Sequence, residues 1–396
     1  MVRWRRRLKV MAFAAAAAAL GAFAAAGGAQ AQQQEVVNIG YTGPLSGGAA
    51  LYGKNALSGL EIAADEINQA GGIEAGGKKY TIKVVALDDK YAPSEAAVNA
   101  KRLKGQYNAP IIFVPHSGGA FALQAFNEQD GFIIGAYTSV PTLTDRGNKL
   151  TVRIPPSFAG YAEPFAKLEI KRFGKSLGMA GADHDYAKSW AQVMAPAWQA
   201  AGGKIVADNP MSYNKDTDFY SGVSRVISAN PDVMFVGGAS EPTALVVKQA
   251  RELGFTGGFI VMDQAKLDEM AKVLGDYSML EGAVGTMPLA FDPRPGAKAF
   301  VAKIRKQFNK DPGAEIAYNY SSLYAVADAM KLAGSVSDPK AIYAKLGEAF
   351  SRLPVERNGN SIIGMDEKGG LNTELLIAHV EGGKIVPVNI SDIAQK

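Results

Sequence analysis

The stretch IGYTGPLSGGAALYGKNALSGLEIAADEINQAGGI, Ile39 to Ile73, decides how this chain is read. It begins as a strand-like run, turns through a glycine-rich loop and continues into a helical pattern. Within it Gly48, Gly53 and Lys54 match the phosphate-binding signature G-x-x-x-x-G-K-[S/T], and only Asn55 departs from it. The missing Ser or Thr is the residue whose hydroxyl binds magnesium, and Asn55 is a poor replacement. Glycines between a strand and a helix also have a plain structural use, since they permit positive φ and close backbone approach. The rest of the chain has to choose between the two.

Toward the N-terminus, MVRWRRRLKV carries Arg3, Arg5, Arg6, Arg7 and Lys9 without an acid, followed by an Ala-rich apolar run and AQA at 29–31. A charged start, an apolar middle and a small-x-small site make a secretory signal peptide, with cleavage expected after Ala31. The alternative, a membrane anchor, needs roughly 20 strongly apolar residues, and this run is shorter and mostly Ala. Arg5-Arg6-Arg7 hints at twin-arginine export without supporting flanks. Removing the five basic residues takes the formal charge from +4 to −1. A nucleic-acid or anionic-membrane partner then loses its compositional support.

Cysteine is absent. An exported chain of this kind has no disulfide, no thiolate nucleophile and no cysteine to carry a lipid anchor, so the periplasm is the expected address. Without residues 1–31 about 365 of the 396 remain, more than one core usually supports, and two lobes are expected.

Toward the C-terminus, strand-like runs alternate with helical periodicity. VVNIGYTG, YTIKVVALDD, APIIFVPHSG and GFIIGAYTS form one series. In the first intervening helix Leu60, Ala63, Ala64 and Ile67 share a face, and Gly71-Gly72 stop it. A second series, SLGMAGAD, GKIVADNP, PDVMFVGG, GFIVMD and EGAVGTMPLA, begins after RIPPSF. The pattern predicts an α/β fold of two doubly wound parallel-sheet lobes. Helices then follow at KAFVAKIRKQF, YNYSSLYAVADAMKLAG and DPKAIYAKLGEAF, and the tail folds as a hairpin about Gly382-Gly383.

Ligands of such sheets sit beyond the carboxyl ends of the strands, here GPLSGG, PHSGG, AYTS, GADHDY, GGASE and VMDQ. Catalytic chemistry finds little support there. Ser117 lies beside His116, but G-x-S-x-G is missing. His184, between Asp183 and Asp185, reads as a solvated loop residue, and His116, His184 and His379 have no metal-ligand spacing. Neither an enzyme, a cofactor nor a metal site is expected. A serine before two glycines suits an oxyanion or carboxylate. With Tyr52, Tyr137, Thr138, Ser139, Tyr186 and Asp263 at other strand ends, it outlines a cleft for a small molecule.

On these residues the chain resembles the type I periplasmic binding proteins of ABC transporters, in the leucine/isoleucine/valine-binding group. IGYTGPLSGGAALYGKNALSGLEIAADEINQAGGI is similar to that group's first loop and helix, and YTIKVVALDDKYAPSEAAVNAKRL to its next unit. The glycines at 47, 48 and 53 then belong to a ligand loop, and the phosphate-loop match is accidental. The resemblance implies a hinge of three crossovers, near Ser157, Met287 and Ser361. Lobe 1 would comprise 32–157 plus 287–361, and lobe 2 158–286 plus 362–396. It implies a monomer that delivers its ligand to a membrane permease. It also implies ligand contacts at Tyr52, His116, Ser117, Gly118, Tyr137, Thr138, Ser139, Tyr186 and Asp263, with Asp263 at or beside the acid that holds an α-ammonium.

Two positions depart from the amino-acid binders. Phe158 falls where the group has an ammonium-binding Asp, and Ala239 where it has a Tyr. The carboxylate half of the site is kept and most of the ammonium half is lost, and missing hydrogen-bond partners discriminate sharply. The expected ligand is a carboxylate without an α-amino group, an aromatic acid stacked among Tyr52, Phe158, Tyr137 and Tyr186. A hydrophobic amino acid held by Asp263 is the alternative.

Overall fold

Apolar runs rich in Val and Ile become strands here because helices cover both of their faces. The computed structural model describes residues 35–394; the signal segment read at 1–31 lies outside the described residues. β1 (Glu35–Gly43), β2 (Ile73–Ala75), β3 (Lys78–Asp88), β4 (Ile111–Val114), β5 (Ile133–Ala136) and β6 (Thr151–Arg153) form one sheet in the order β2-β3-β1-β4-β5-β6. Every residue of β4 and β5 is buried, as expected of parallel strands between two helical layers. Their register, Ile111 opposite Ile133, continues from Gly40 opposite Ile112 on β1.

A second sheet takes β7 (Ser176–Met179), β8 (Lys204–Asp208), β9 (Val233–Val236), β10 (Gly258–Val261) and β11 (Ala283–Thr286). Beside β12 (Gly364–Met365) and β13 (Leu371–Asn372), a small pair of their own, the tail adds β14 (Ile377–Glu381) and β15 (Lys384–Val388). The second order is β15-β14-β11-β10-β9-β7-β8. Both sheets are therefore doubly wound, and the winding reverses between β1 and β4 in one and between β7 and β9 in the other. They are not purely parallel. β2 runs antiparallel to β3 across Gly76-Gly77, and β14 runs antiparallel to both β11 and β15. In both hairpins a Gly-Gly pair at positive φ makes the reversal. Among the described residues no helix is long and apolar enough to cross a membrane.

The helix Ala50–Gln69 buries Leu60, Ala63, Ala64 and Ile67, the predicted face. Helices Pro295–Phe308, Ala314–Ala333 and Pro339–Ser351 return to it: Phe300, Ile316, Leu323 and Leu346 share one core with Ile39 and Leu60. A separate core under the second sheet contains Phe158, Trp190, Phe235 and Ile260. The chain passes between the cores after Arg153, again at Met287, and a third time between Leu371, in the first core, and Leu375, packed on the second. The third passage thus falls later than the one expected near Ser361, because β13 still packs with the first core. Arg153 N–H donates to Gly369 O at 2.8 Å and Met287 N–H to Leu376 O at 3.0 Å, so the passages lie side by side.

Candidate functional site

The site grows from the ends of the strands beside the switch points, where doubly wound sheets leave a crevice. β4 leads through Pro115 and His116 into the helix Ser117–Gln124. His116 caps that helix. Its Nδ1 accepts the Gly119 N–H at 3.0 Å, so its hydrogen lies on Nε2, which donates to the buried Asp89 carboxylate at 2.9 Å. Asp89 in turn accepts from Thr42 Oγ1 at 3.0 Å and from the Tyr91 N–H at 2.9 Å. Because the imidazole takes the Gly119 N–H, the N–H groups of Ser117 and Gly118 are left at the helix's positive end.

Ser117 Oγ lies 2.6 Å from Thr138 Oγ1. The next hydroxyl along β5's exit, Ser139 Oγ, is buried and has no partner. Tyr52 donates its hydroxyl to Tyr137 O at 3.2 Å, and the two rings lie 5.9 Å apart. Burial pushes both phenols well above the usual tyrosine range.

From the second sheet, the exit of β10 supplies Asp263, Gln264 and Lys266. Asp263 Oδ1 accepts from Tyr186 Oη at 2.6 Å and Trp190 Nε1 at 2.7 Å, which leaves Oδ2 for another donor. Burial, then the adjacent Asp263 charge, keep the Tyr186 phenol protonated far above its ordinary range. Lys266 is 4 % exposed, and the hydrogen bonds of its ammonium run to the carbonyls of Asp263 (2.7 Å) and Gln264 (2.8 Å), not to a carboxylate. Tyr91, at φ 64°, stacks on His116 at 4.6 Å, and Gln264 Nε2 donates to its hydroxyl at 3.1 Å, so first-sheet and second-sheet loops meet over the crevice.

Together these residues surround a narrow cavity of about 20 Å³. Tyr52, His116, Ser117, Tyr137, Thr138, Ser139, Tyr186 and Asp263 line it. Gly118 does not line it; a Cβ there would sit 3.1 Å from Asp185 Oδ2, at the seam between the two halves. Phe158 is a correction. It is fully buried behind Tyr186, stacked on Trp190 at 4.5 Å, because the helix Ala159–Arg172 that it precedes packs into the second core. Ala239 does not line the cavity either: it precedes the helix Ser240–Glu252 and is buried in the cluster that contains Tyr52 and Tyr137. His184 is also misread from sequence. Its Nδ1 accepts the Ala187 N–H at 3.4 Å as a helix cap, its ring lies 5.0 Å from Tyr91, and burial pushes its pKa down to about 4.

Sequence reasoning missed Tyr91, Gln264 and Lys266 on the wall. The last two follow Asp263 in VMDQAK, so carrying the strand-end rule three residues further would have found them. Asn55 also receives a role. Its Nδ2 donates to Glu315 at 2.9 Å and to Glu269 at 3.3 Å, across the seam. Gly53 is required by packing, since a Cβ there would lie 1.8 Å from Pro44 O. The loop that resembles a phosphate site is thus spaced by close backbone contact.

Residues 36–384 match the family described as periplasmic binding protein. A leucine-, isoleucine-, valine-, threonine- and alanine-binding protein of Pseudomonas aeruginosa is 26 % identical over 341 residues, 85 % of this chain and 87 % of that one. An amino acid binding protein of the same organism is 29 % identical over 346 residues, again 85 % and 87 %. Among solved structures, a leucine-binding protein from Thermotoga maritima aligns with TM-score 0.75 and 23 % identity over 89 % of this chain and 98 % of that one. The solute-binding protein of an R. palustris ABC transporter, in complex with benzoate, aligns with TM-score 0.76 and 18 % identity over 89 % and 95 %. With a matching doubly wound pair of sheets and a cleft at their switch points, the chain belongs to the periplasmic binding protein family.

Proposed function

We propose that this protein is the periplasmic receptor of an ABC uptake transporter and that it binds a small carboxylate without an α-amino group, an aromatic or hydrophobic acid. The carrying observation is the pairing of Lys266 with Ser139 on one small cavity wall. A buried ammonium without a carboxylate partner and a buried hydroxyl without any partner are both unfavourable alone, and both are relieved by an anion with acceptor oxygens. Ser117, its N–H group and Thr138 complete the same cradle, at the favourable end of a helix for negative charge. Tyr52, Tyr137 and Tyr186 supply flat apolar walls for the acid's body.

An amino acid would bring a second ammonium beside Lys266, with Asp263 Oδ2 as its main counter-charge. That alternative is favoured by the amino-acid-binding relatives and by Asp263 itself. Delivery to a sensory receptor instead of a permease would use the same cleft. Export by residues 1–31 places the protein in the periplasm. The three neighbouring passages between the cores serve as the hinge, and closure offers both lobe surfaces to the permease as a monomer.

The test is a thermal-shift panel on the chain from Gln32 onward, refolded to strip carried ligand. It sets benzoates and phenylpropenoates against leucine, isoleucine, valine and phenylalanine. A ligand at a hundred times its dissociation constant stabilises by about 2.7 kcal/mol, a shift of several degrees for a chain of this size. Aromatic acids are expected to shift the midpoint. A shift with leucine and none with the acids would overturn the reading in favour of an amino-acid receptor.

A further inference from the structure

The loop after β3 holds Tyr91 in a costly conformation. Lys90 and Tyr91 both lie at positive φ, 53° and 64°, a region that residues of their kind seldom enter. Two carboxylates pin the turn: Asp88 Oδ1 accepts the Lys90 N–H and Asp89 Oδ1 the Tyr91 N–H, each at 2.9 Å. Asp89 is itself fixed by Thr42 and His116. Backbone held against its preference by surrounding bonds points to a use for the side chain it presents. That side chain reaches across to the second half. Its ring stacks on His116 at 4.6 Å and lies 5.0 Å from His184. Its hydroxyl stands 3.1 and 3.3 Å from the two amide atoms of Gln264, so the pair forms whichever way the amide is turned.

We propose that Tyr91 is the clasp of the closed form, a positioning residue that sets how long a ligand stays and not which ligand binds. Tyr91 and Gln264 both line the cavity, so parting them opens its wall. The clasp is also wired to the second-half acid that faces the ligand space. Gln264 donates its backbone N–H to Tyr186 Oη at 2.9 Å, and Tyr186 donates to Asp263 Oδ1 at 2.6 Å. A ligand that settles against Asp263 and Lys266 steadies the loop that carries Gln264, and the clasp steadies the same loop around the ligand. The hydroxyl and the amide are both neutral, so the clasp is indifferent to the ligand's charge and does not depend on the carboxylate reading. On opening, both groups return to water. The net gain is therefore that of one neutral hydrogen bond and a ring contact, enough to bias closure without locking it.

Stopped-flow release from the refolded chain, followed by tryptophan fluorescence, would use benzoate and leucine as probes. Tyr91→Phe, which keeps the ring on His116, and Gln264→Leu should each speed release about three- to tenfold, the worth of one neutral hydrogen bond. Association should stay unchanged, because the clasp forms after the probe has entered. The double variant should release no faster than the faster single variant, since both changes break the same bond. The absence of cysteine allows a second readout. Val98 and Gln192 are exposed on the helices Pro93–Tyr107 and Asp185–Ala200, one in each half. Spin labels on Val98→Cys and Gln192→Cys would report the closed fraction with no probe present, and that fraction should fall in Tyr91→Phe. Unchanged release and unchanged label distances in Tyr91→Phe, even with a lower melting point, would make Tyr91 structural and overturn the clasp. Effects that multiply in the double variant would overturn it as well. If neither probe binds, the reading of the ligand falls, while the label distances still decide the clasp.

Discussion

Lys266 and Asn55 show how residue identity and residue role separate. Lys266 stands three positions beyond Asp263 and carries no sequence signal of its own. In the structure it is a nearly buried cation whose partners are two carbonyls. Replacing it with methionine should weaken carboxylate binding by about 10- to 100-fold, the loss of one charge-assisted hydrogen bond of roughly 1.5–3 kcal/mol. The same change should leave the unliganded melting point unchanged or higher, because the desolvation cost of a buried ammonium is removed. Calorimetry and a melting curve on one variant test both, and a lower melting point with unaltered affinity would make Lys266 a structural residue. Asn55, by contrast, drew notice only because it spoils a motif, and its partners Glu269 and Glu315 lie 214 and 260 residues away.

At the scale of elements, the long strand-like runs and the first helix were legible because period and composition agree over many residues. β2 and β6, of three residues each, were not, since so few positions hold no period. The short helix Ser117–Gln124 depends on His116 in a way that spacing does not reveal. The imidazole is at once its cap and the partner of Asp89. His116→Ala should therefore destabilise by about 2–4 kcal/mol, combining a lost cap with a buried carboxylate deprived of a donor. The melting midpoint would fall by roughly 5–15 °C. His116→Asn restores a capping side chain and should recover part of the loss. If His116→Ala melts with the unaltered protein, the Asp89 network is not holding the helix.

For the whole molecule, the seam adds a dependence on pH. Glu269 comes from the second half and is pushed well above the usual carboxyl range by burial first and then by Glu315 from the first half. Lys266 and a 2.6 Å bond from Ser240 pull it partly back, and nearby Asp268 adds to the rise. Opening the seam would return Glu269 to water and its ordinary value. The closed form thus holds a proton that the open form releases. Closure is fully favoured below the ordinary glutamate range and weakens as pH rises from there toward the raised value. Ligand affinity measured by calorimetry should fall with pH across that window, and Glu269→Gln should flatten the profile; an unchanged slope in the variant would assign it to other groups. The sequence by itself determined the compartment expected, the alternation of strands and helices, and the strand-end residues that face the cleft, because each is a local pattern of charge, period or turn. Only the tertiary structure decided that Phe158 turns into a core, that Lys266 faces the ligand space and that Glu269 meets Glu315. Those outcomes depend on which distant side chain occupies the opposite wall, and burial, not identity, sets their chemistry.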